Sequence, residues 1–275
     1  MNNHELLKHA YDALRRNDTK RAQALFNSIQ GEGVIHAERL HGLALIERRQ
    51  GNYAQSEALA NDAIQVCPEM PNFYLTKGIA QQVLGRLKQS IETFREGTEI
   101  APYYPELYNS AGVSFRKAQR YEDACECYDA GIEKIGIHFL LQARNDKNND
   151  IFNKVRTTHD TLLNYTLSSC IKHAALSEKI GAALFPSSDQ EALALGKVHK
   201  GMYWADKPDK EGKTARLYLD NGISAVLHAL SHDALVPFIL ENKSNALSLM
   251  GNSNDAEIFQ IDADELRRMQ RLRSS

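Results

Sequence analysis

Two His–Asp pairs, His159–Asp160 and His232–Asp233, and one Cys–His pair, Cys170 and His173, come nearest in this chain to metal chemistry. A histidine beside a carboxylate suits a metal hydrolase or an oxygenase. The hydrolase needs further ligands, and oxygenases with such a pair sit on a β-barrel, for which no strand-like alternation exists here. Cys170 and His173 are three apart, as ligands on one helix face would be, but no second pair of similar spacing follows. Cys125 and Cys127 are two apart and do not share a helix face. Cys67 stands just before Pro68 at a helix end, and the four cysteines fit a reducing compartment. No phosphate-binding glycine loop, dinucleotide fingerprint or Gly-x-Ser-x-Gly elbow occurs. The glycines of Gly31-Glu32-Gly33 fall in a turn, and Trp204, after Met202 and Tyr203, reads as buried under a charged loop. The His–Asp pairs read as surface or helix-capping residues. No catalytic residue, metal or cofactor is therefore expected.

The elements that carry these residues are set by a period. Four segments, 3–36, 37–70, 71–104 and 105–138, repeat every 34 residues in phase. Position 8 of each is small (Ala10, Ala44, Gly78, Gly112), as is position 20 (Ala22, Ser56, Ser90, Ala124). Two antiparallel helices that approach closely need small residues at their contact, and larger ones beside it fill the remaining space, here Leu6, Leu40 and Tyr108 at position 4 and Phe26, Phe94 and Tyr128 at position 24. Gly51 and Gly85 at position 15 suit a left-handed helix end. Pro68 and Pro102 at position 32 mark boundaries that no helix interior crosses. One such pair cannot cover its own apolar face, so neighbours must stack.

These residues resemble the tetratricopeptide repeat family over residues 3–138, half of the chain. The resemblance implies an all-α solenoid, a right-handed superhelix of helix–turn–helix repeats, and a role in binding other molecules without transforming them. It also implies that positions 2, 5, 9, 12 and 13 of each first helix face a concave groove. Those offsets select Leu7, Tyr11, Leu14 and Arg15, then Glu38, His41, Leu45, Arg48 and Arg49. The third repeat contributes Asn72, Leu75, Ile79, Gln82 and Val83, and the fourth Glu106, Asn109, Val113, Arg116 and Lys117. An apolar floor (Leu7, Leu45, Leu75, Ile79, Val113) then lies beside a basic row (Arg15, Arg48, Arg49, Arg116, Lys117), a surface suited to an acidic peptide or helix of a protein partner. Family members that hold chaperone tails with a two-carboxylate clamp need Lys and Asn where Leu7 and Tyr11 stand. They also need Asn at Gly42, and Lys and Arg at Asn72 and Thr76. That clamp is absent.

Beyond Gly136 the repeat breaks and residues 142–160 are polar, a loop or a helix starting near Asp150. Helical patterning resumes over 151–184, 190–205 and 213–230, with a polar connector at 206–212. A last unit, 237–270, matches at Leu240, Ser244, Gly251, Ala256 and Ala263 and departs at Gln260, where an apolar residue is expected; it reads as a cap. Residues 139–275 are thus a helical region of degenerate repeats or a separate bundle. The net charge of −2 over 275 residues, balanced in both halves, argues against nucleic acid as a partner. No apolar run is long enough to span a membrane, and the start lacks an export segment, so a cytoplasmic scaffold is expected. Two other roles fit the same residues: a targeting arm on a small helical ligand-binding or enzymatic C-terminal domain, and a scaffold that assembles with itself.

Overall fold

The structure, a computed structural model, describes residues 2–145 and 233–274. It falls into two bodies, Met1–Cys127 and Tyr128–Ser275, and every regular element among the described residues is an α-helix. The N-terminal body holds α1 (Asn3–Arg15), α2 (Thr19–Ser28), α3 (Val34–Arg49), α4 (Tyr53–Val66), α5 (Pro71–Val83), α6 (Leu87–Ile100), α7 (Pro105–Lys117) and the first turns of α8 (Tyr121–Asn145). Packing follows chain order, each helix on the next through α7, and the first helices of successive pairs also touch, α1 with α3, α3 with α5 and α5 with α7. That stacking of antiparallel pairs is an α-solenoid. In the C-terminal body, α9 (Val236–Leu249) packs on α10 (Ser253–Ser274).

Local chemistry sets the helix ends. Asn2 and Glu5 form a capping box at the start of α1, Glu5 N donating to Asn2 Oδ1 at 2.8 Å and Asn2 N to Glu5 Oε2 at 3.0 Å. Asp18 caps α2 through Arg21 N. Pro71 and Pro105 open α5 and α7, where a missing N–H costs nothing. The turns within pairs share one device: Asn17, Gly51, Gly85, Gln119 and Gly251 all have φ between 60° and 85°. All five stand at position 15 of their repeats, so Asn17 and Gln119 hold a left-handed conformation without being glycine.

The apolar clusters show why the pairs must stack. Ala10, Leu14, Ala22 and Phe26 of the first repeat close on Ile46 of the second. Leu40, Ala63 and Cys67 of the second close on Phe73 of the third. Tyr74 and Phe94 of the third close on Leu107 and Ala111 of the fourth. Position 20 does more than stay small. Ser56 Oγ donates to Ala44 O at 2.8 Å and Ser90 Oγ to Gly78 O at 2.9 Å. In the α9–α10 pair the bond runs the other way, Ser244 Oγ to Ala256 O at 2.7 Å. Each bond crosses the close contact and gives a buried serine hydroxyl its acceptor among apolar neighbours.

Helix α8 runs through Gly136 to Asn145, past the point where the repeat pattern stops. A single interior glycine costs about 1 kcal/mol, less than the ladder of hydrogen bonds that continues beyond it, and no proline like Pro68 or Pro102 ends the helix there. The sequence-expected helices over 151–184, 190–205 and 213–230 lie outside the described residues, as do the 206–212 connector, Cys170, His173, His159, Asp160, His232 and Trp204.

Candidate functional site

Because α1, α3, α5 and α7 touch in series, the side chains on their shared face meet one another. Tyr11 on α1 reaches Glu38 and His41 on α3. Its hydroxyl hydrogen-bonds the Glu38 carboxylate and lies 3.2 Å from both Glu38 O and His41 Nδ1. His41 Nε2 lies 3.0 Å from Thr76 Oγ1 on α5, and the imidazole packs 4.9 Å from the Phe73 ring. Tyr11 has one proton, so donating it to Glu38 leaves its oxygen to accept from His41 Nδ1–H, while Nε2 accepts from Thr76. His41 is 4% exposed. Burial, and after it the Arg48 charge, push its pKa down to about 4, so it is neutral at physiological pH. Burial and then the Glu38 charge raise the Tyr11 phenol. This network ties three successive repeats together.

One turn further along, the same face opens into a cleft of about 370 Å³ lined by Lys8, Tyr11, Leu14, Arg15, Leu45, Arg48 and Arg49. Sequence offsets had placed six of these on the groove and missed Lys8. Its spacing to Tyr11 and Arg15, i to i+3 and i+7, was the available signal. The four cations are not equivalent. Arg15 pairs with Asp12 on its own helix. Arg49 Nη1 donates to Leu14 O at 2.6 Å and lies 3.4 Å from Asn17 Oδ1, so it closes the end of α1. Lys8 is exposed on α1, four residues before Asp12. Arg48 is half-buried and has no hydrogen bond or ion pair among the described residues. Burial and the adjacent Arg49 charge pull its guanidinium below the usual arginine range, with Tyr53 opposing. A cation in this state is stabilised by any anion that enters beside it.

The other residues selected by the repeat offsets are distributed along the stack. Leu7 packs beside Tyr11 and Leu45 on the first cluster, and Leu75 and Ile79 on the third. Gln82 links α5 to α7, donating to Ser114 Oγ at 2.8 Å and Ser110 O at 3.2 Å and accepting from Lys117 Nζ at 3.3 Å. Asn109 and Val113 are half-buried on α7. Arg116 is half-buried there too, its Nε without a partner among the described residues. Neither Arg116 nor Lys117 lines the cleft, so the basic row divides into an N-terminal cluster and an α7 pair. Gly42, where the clamp would need Asn, has no room: a Cβ there would lie 2.2 Å from the Phe26 ring.

A second cleft of about 490 Å³ lies among α4, α5 and α6. Its polar groups satisfy one another, Lys77 with Asn61 (2.9 Å), Gln81 with Glu57 (3.0 Å), Thr93 with Gln81 (2.8 Å), and Arg86 with Glu57. Among the described residues no three His, Cys, Asp or Glu side chains converge as metal ligands would, and no described helix is long and apolar enough to cross a membrane. Asp233, one half of a His–Asp pair, accepts from Leu235 N at 2.8 Å in the turn that precedes α9. Cys67 and Cys127 are free thiols.

No protein-family model matches the chain, and no curated protein matches it. Solved structures do. MamA MSR-1 C2 is 9% identical, with a TM-score of 0.47 over 99% of this chain and 98% of its own. A tetratricopeptide repeat protein from Parabacteroides merdae is 13% identical, with a TM-score of 0.42 over 99% of both chains. PilF of Pseudomonas aeruginosa is 10% identical, with a TM-score of 0.43 over 96% of this chain and 91% of its own. The chain's own helix pairs, with left-handed turns at 34-residue spacing and apolar clusters shared between neighbours, are a tetratricopeptide-like fold.

Proposed function

We propose that this protein is a non-catalytic interaction scaffold and that its N-terminal cleft anchors an acidic, apolar-bearing segment of a protein partner. The observation that carries this reading is Arg48. It is half-buried, lacks a partner among the described residues and is crowded by Arg49, in a cleft whose walls are Tyr11, Leu14 and Leu45. A basic residue in the last turn of a helix often serves that helix's own carbonyls. Arg49, on α3, serves instead the Leu14 carbonyl at the end of α1, and Arg48 serves no carbonyl among the described residues. A carboxylate accepts two parallel hydrogen bonds from a guanidinium, and an apolar side chain next to it covers Leu14 and Leu45. Arg116 offers a second anchor further along the same series of helices.

The test is affinity capture from native extract with wild type and Arg48→Glu side by side, read by mass spectrometry. A protein retained by wild type, lost from the variant and weakened by salt supports the reading. Identical captured sets would overturn it and move attention to the outer helices.

A further inference from the structure

We infer that the occupant of the cleft is the acidic face of α10 from a second copy of this chain; the inference rests on the groove reading above and names its partner. Helix α10 buries Ala256, Ala263 and Leu266 against α9. On another face it leaves Glu257, Ile258, Ile261 and Asp264, which at i, i+1, i+4 and i+7 lie together. Ile258 and Ile261 are 47% and 59% exposed. Glu257 has no hydrogen bond or ion pair among the described residues, and Asp264 holds only surface contacts with Gln260 (3.1 Å) and Arg267 (3.4 Å). The face is two isoleucines between two carboxylates about 10 Å apart along the helix. The cleft presents Arg48 and Lys8 around Leu14 and Leu45. Signs and apolar parts match, and a helix presenting i, i+4 and i+7 contacts is what a groove between parallel helices takes.

Every copy carries both halves of this pair. The cleft belongs to one body and α10 to the other, so the contact between copies is heterologous. A heterologous contact closes into a ring or propagates as a chain of molecules. Lys8, Glu257 and Asp264 are exposed, so association weakens with salt.

The experiment uses full-length protein and light scattering over a concentration series. Wild type gains mass with concentration. Lys8→Glu/Arg48→Glu, with an acidic cleft, and Glu257→Lys/Asp264→Lys, with a basic α10, each stay monomeric, because like charges now face each other. An equimolar mixture of the two variants regains mass, since each supplies the charge the other has lost. Recovery in the mixture also shows that both variants are folded. Should circular dichroism show either unfolded, Arg48→Gln and Glu257→Gln replace them, each expected to weaken association about tenfold or more. A constant monomer mass for wild type, a mixture that stays monomeric, or association unchanged in either variant would overturn the inference. An unrelated probe separates this failure from that of the groove reading: a fluorescein-labelled peptide of alternating Glu-Leu-Leu-Glu blocks, followed by anisotropy. If it binds wild type and not Lys8→Glu/Arg48→Glu while self-association fails, only the identity of the occupant falls. If it binds neither, the groove reading falls as well.

Discussion

Gly42→Ala tests how closely the first two repeats are fitted. In an ordinary helix this change stabilises, by about 0.5–1 kcal/mol, because alanine loses less backbone entropy than glycine. Here the new Cβ would lie 2.2 Å from Phe26 Cε1 and Cζ and 2.6 Å from Cε2. That is more than about 1 Å inside van der Waals contact. The ring cannot swing clear. Phe26 is fully buried, its edge contacts the Tyr11 ring at a centroid distance of 5.2 Å, and the first cluster surrounds it. The α1–α2 pair must therefore move off α3, or the ring must leave its rotamer, at an overpacking cost of about 1–3 kcal/mol or more. Helix propensity offsets part of that, so a net loss of about 1–2 kcal/mol is expected. Urea denaturation measures it as a lower midpoint at unchanged slope. Phe26→Leu makes room for the methyl group, so the double variant should be about 1 kcal/mol or more better than the sum of the single changes. A Gly42→Ala protein as stable as wild type or more so, or strict additivity with Phe26→Leu, would refute the reasoning. The Tyr11 network and the cleft stand on the same contact, so the variant should also weaken any ligand of the cleft.

Two further outcomes follow from the geometry. With His41 held near pKa 4 by burial and by Arg48, against about 6.5 unfolded, the unfolded chain takes up a proton that the folded chain refuses. The stability this neutral histidine contributes is complete above about pH 6.5, drains away as pH falls towards 4 and is gone below it, roughly 3 kcal/mol in all; unfolding at several pH values should give a flatter slope for His41→Gln across that window, and equal slopes would sink the assignment. Gln119 holds φ 60° without being glycine, a conformation costing about 1–2 kcal/mol for most L residues, so Gln119→Gly should raise stability by about 0.5–1 kcal/mol after the extra entropy glycine loses; Asn17→Gly should change little, since asparagine tolerates that conformation, and equal effects at both sites would count against the explanation.

Much of this was readable from the period alone. Small residues at positions 8 and 20 place the close contact, and Gly51 and Gly85 announce left-handed turns. Asn17 and Gln119 adopt the same turn with no glycine to announce it, because hairpin geometry imposes it whatever the side chain. The serine bonds across the contact were also hidden: size alone marked Ser56 and Ser90, and only the opposing carbonyls of Ala44 and Gly78 reveal the hydroxyl's use. Gly42 stood in the sequence only as a mismatch with the clamp. Its physical reason is a phenylalanine sixteen residues earlier, in another repeat, which no offset within one repeat can display. The groove offsets describe one helix face and say nothing of how near the next helix stands.

That nearness divides the positions selected by the repeat offsets into two classes. Where first helices touch, at positions 2, 5 and 9, Glu38, His41 and Tyr11 spend their polar atoms on one another, and His41 is buried as firmly as a core residue. At position 13, in the last turn, Arg15, Arg49, Val83 and Lys117 are all exposed. Affinity and stability are therefore coupled in the middle of each first helix and separable at its end. A ligand site that must vary its charge without unfolding the stack belongs in those last turns, and the cleft formed by the ends of α1 and α3 is such a place. Arg48, one position before the exposed row, belongs to both classes. It is buried enough to act on His41 and open enough to meet a carboxylate. An anion bound there cancels the charge that helps keep His41 deprotonated, so binding at the cleft and protonation in the core are thermodynamically linked through one side chain.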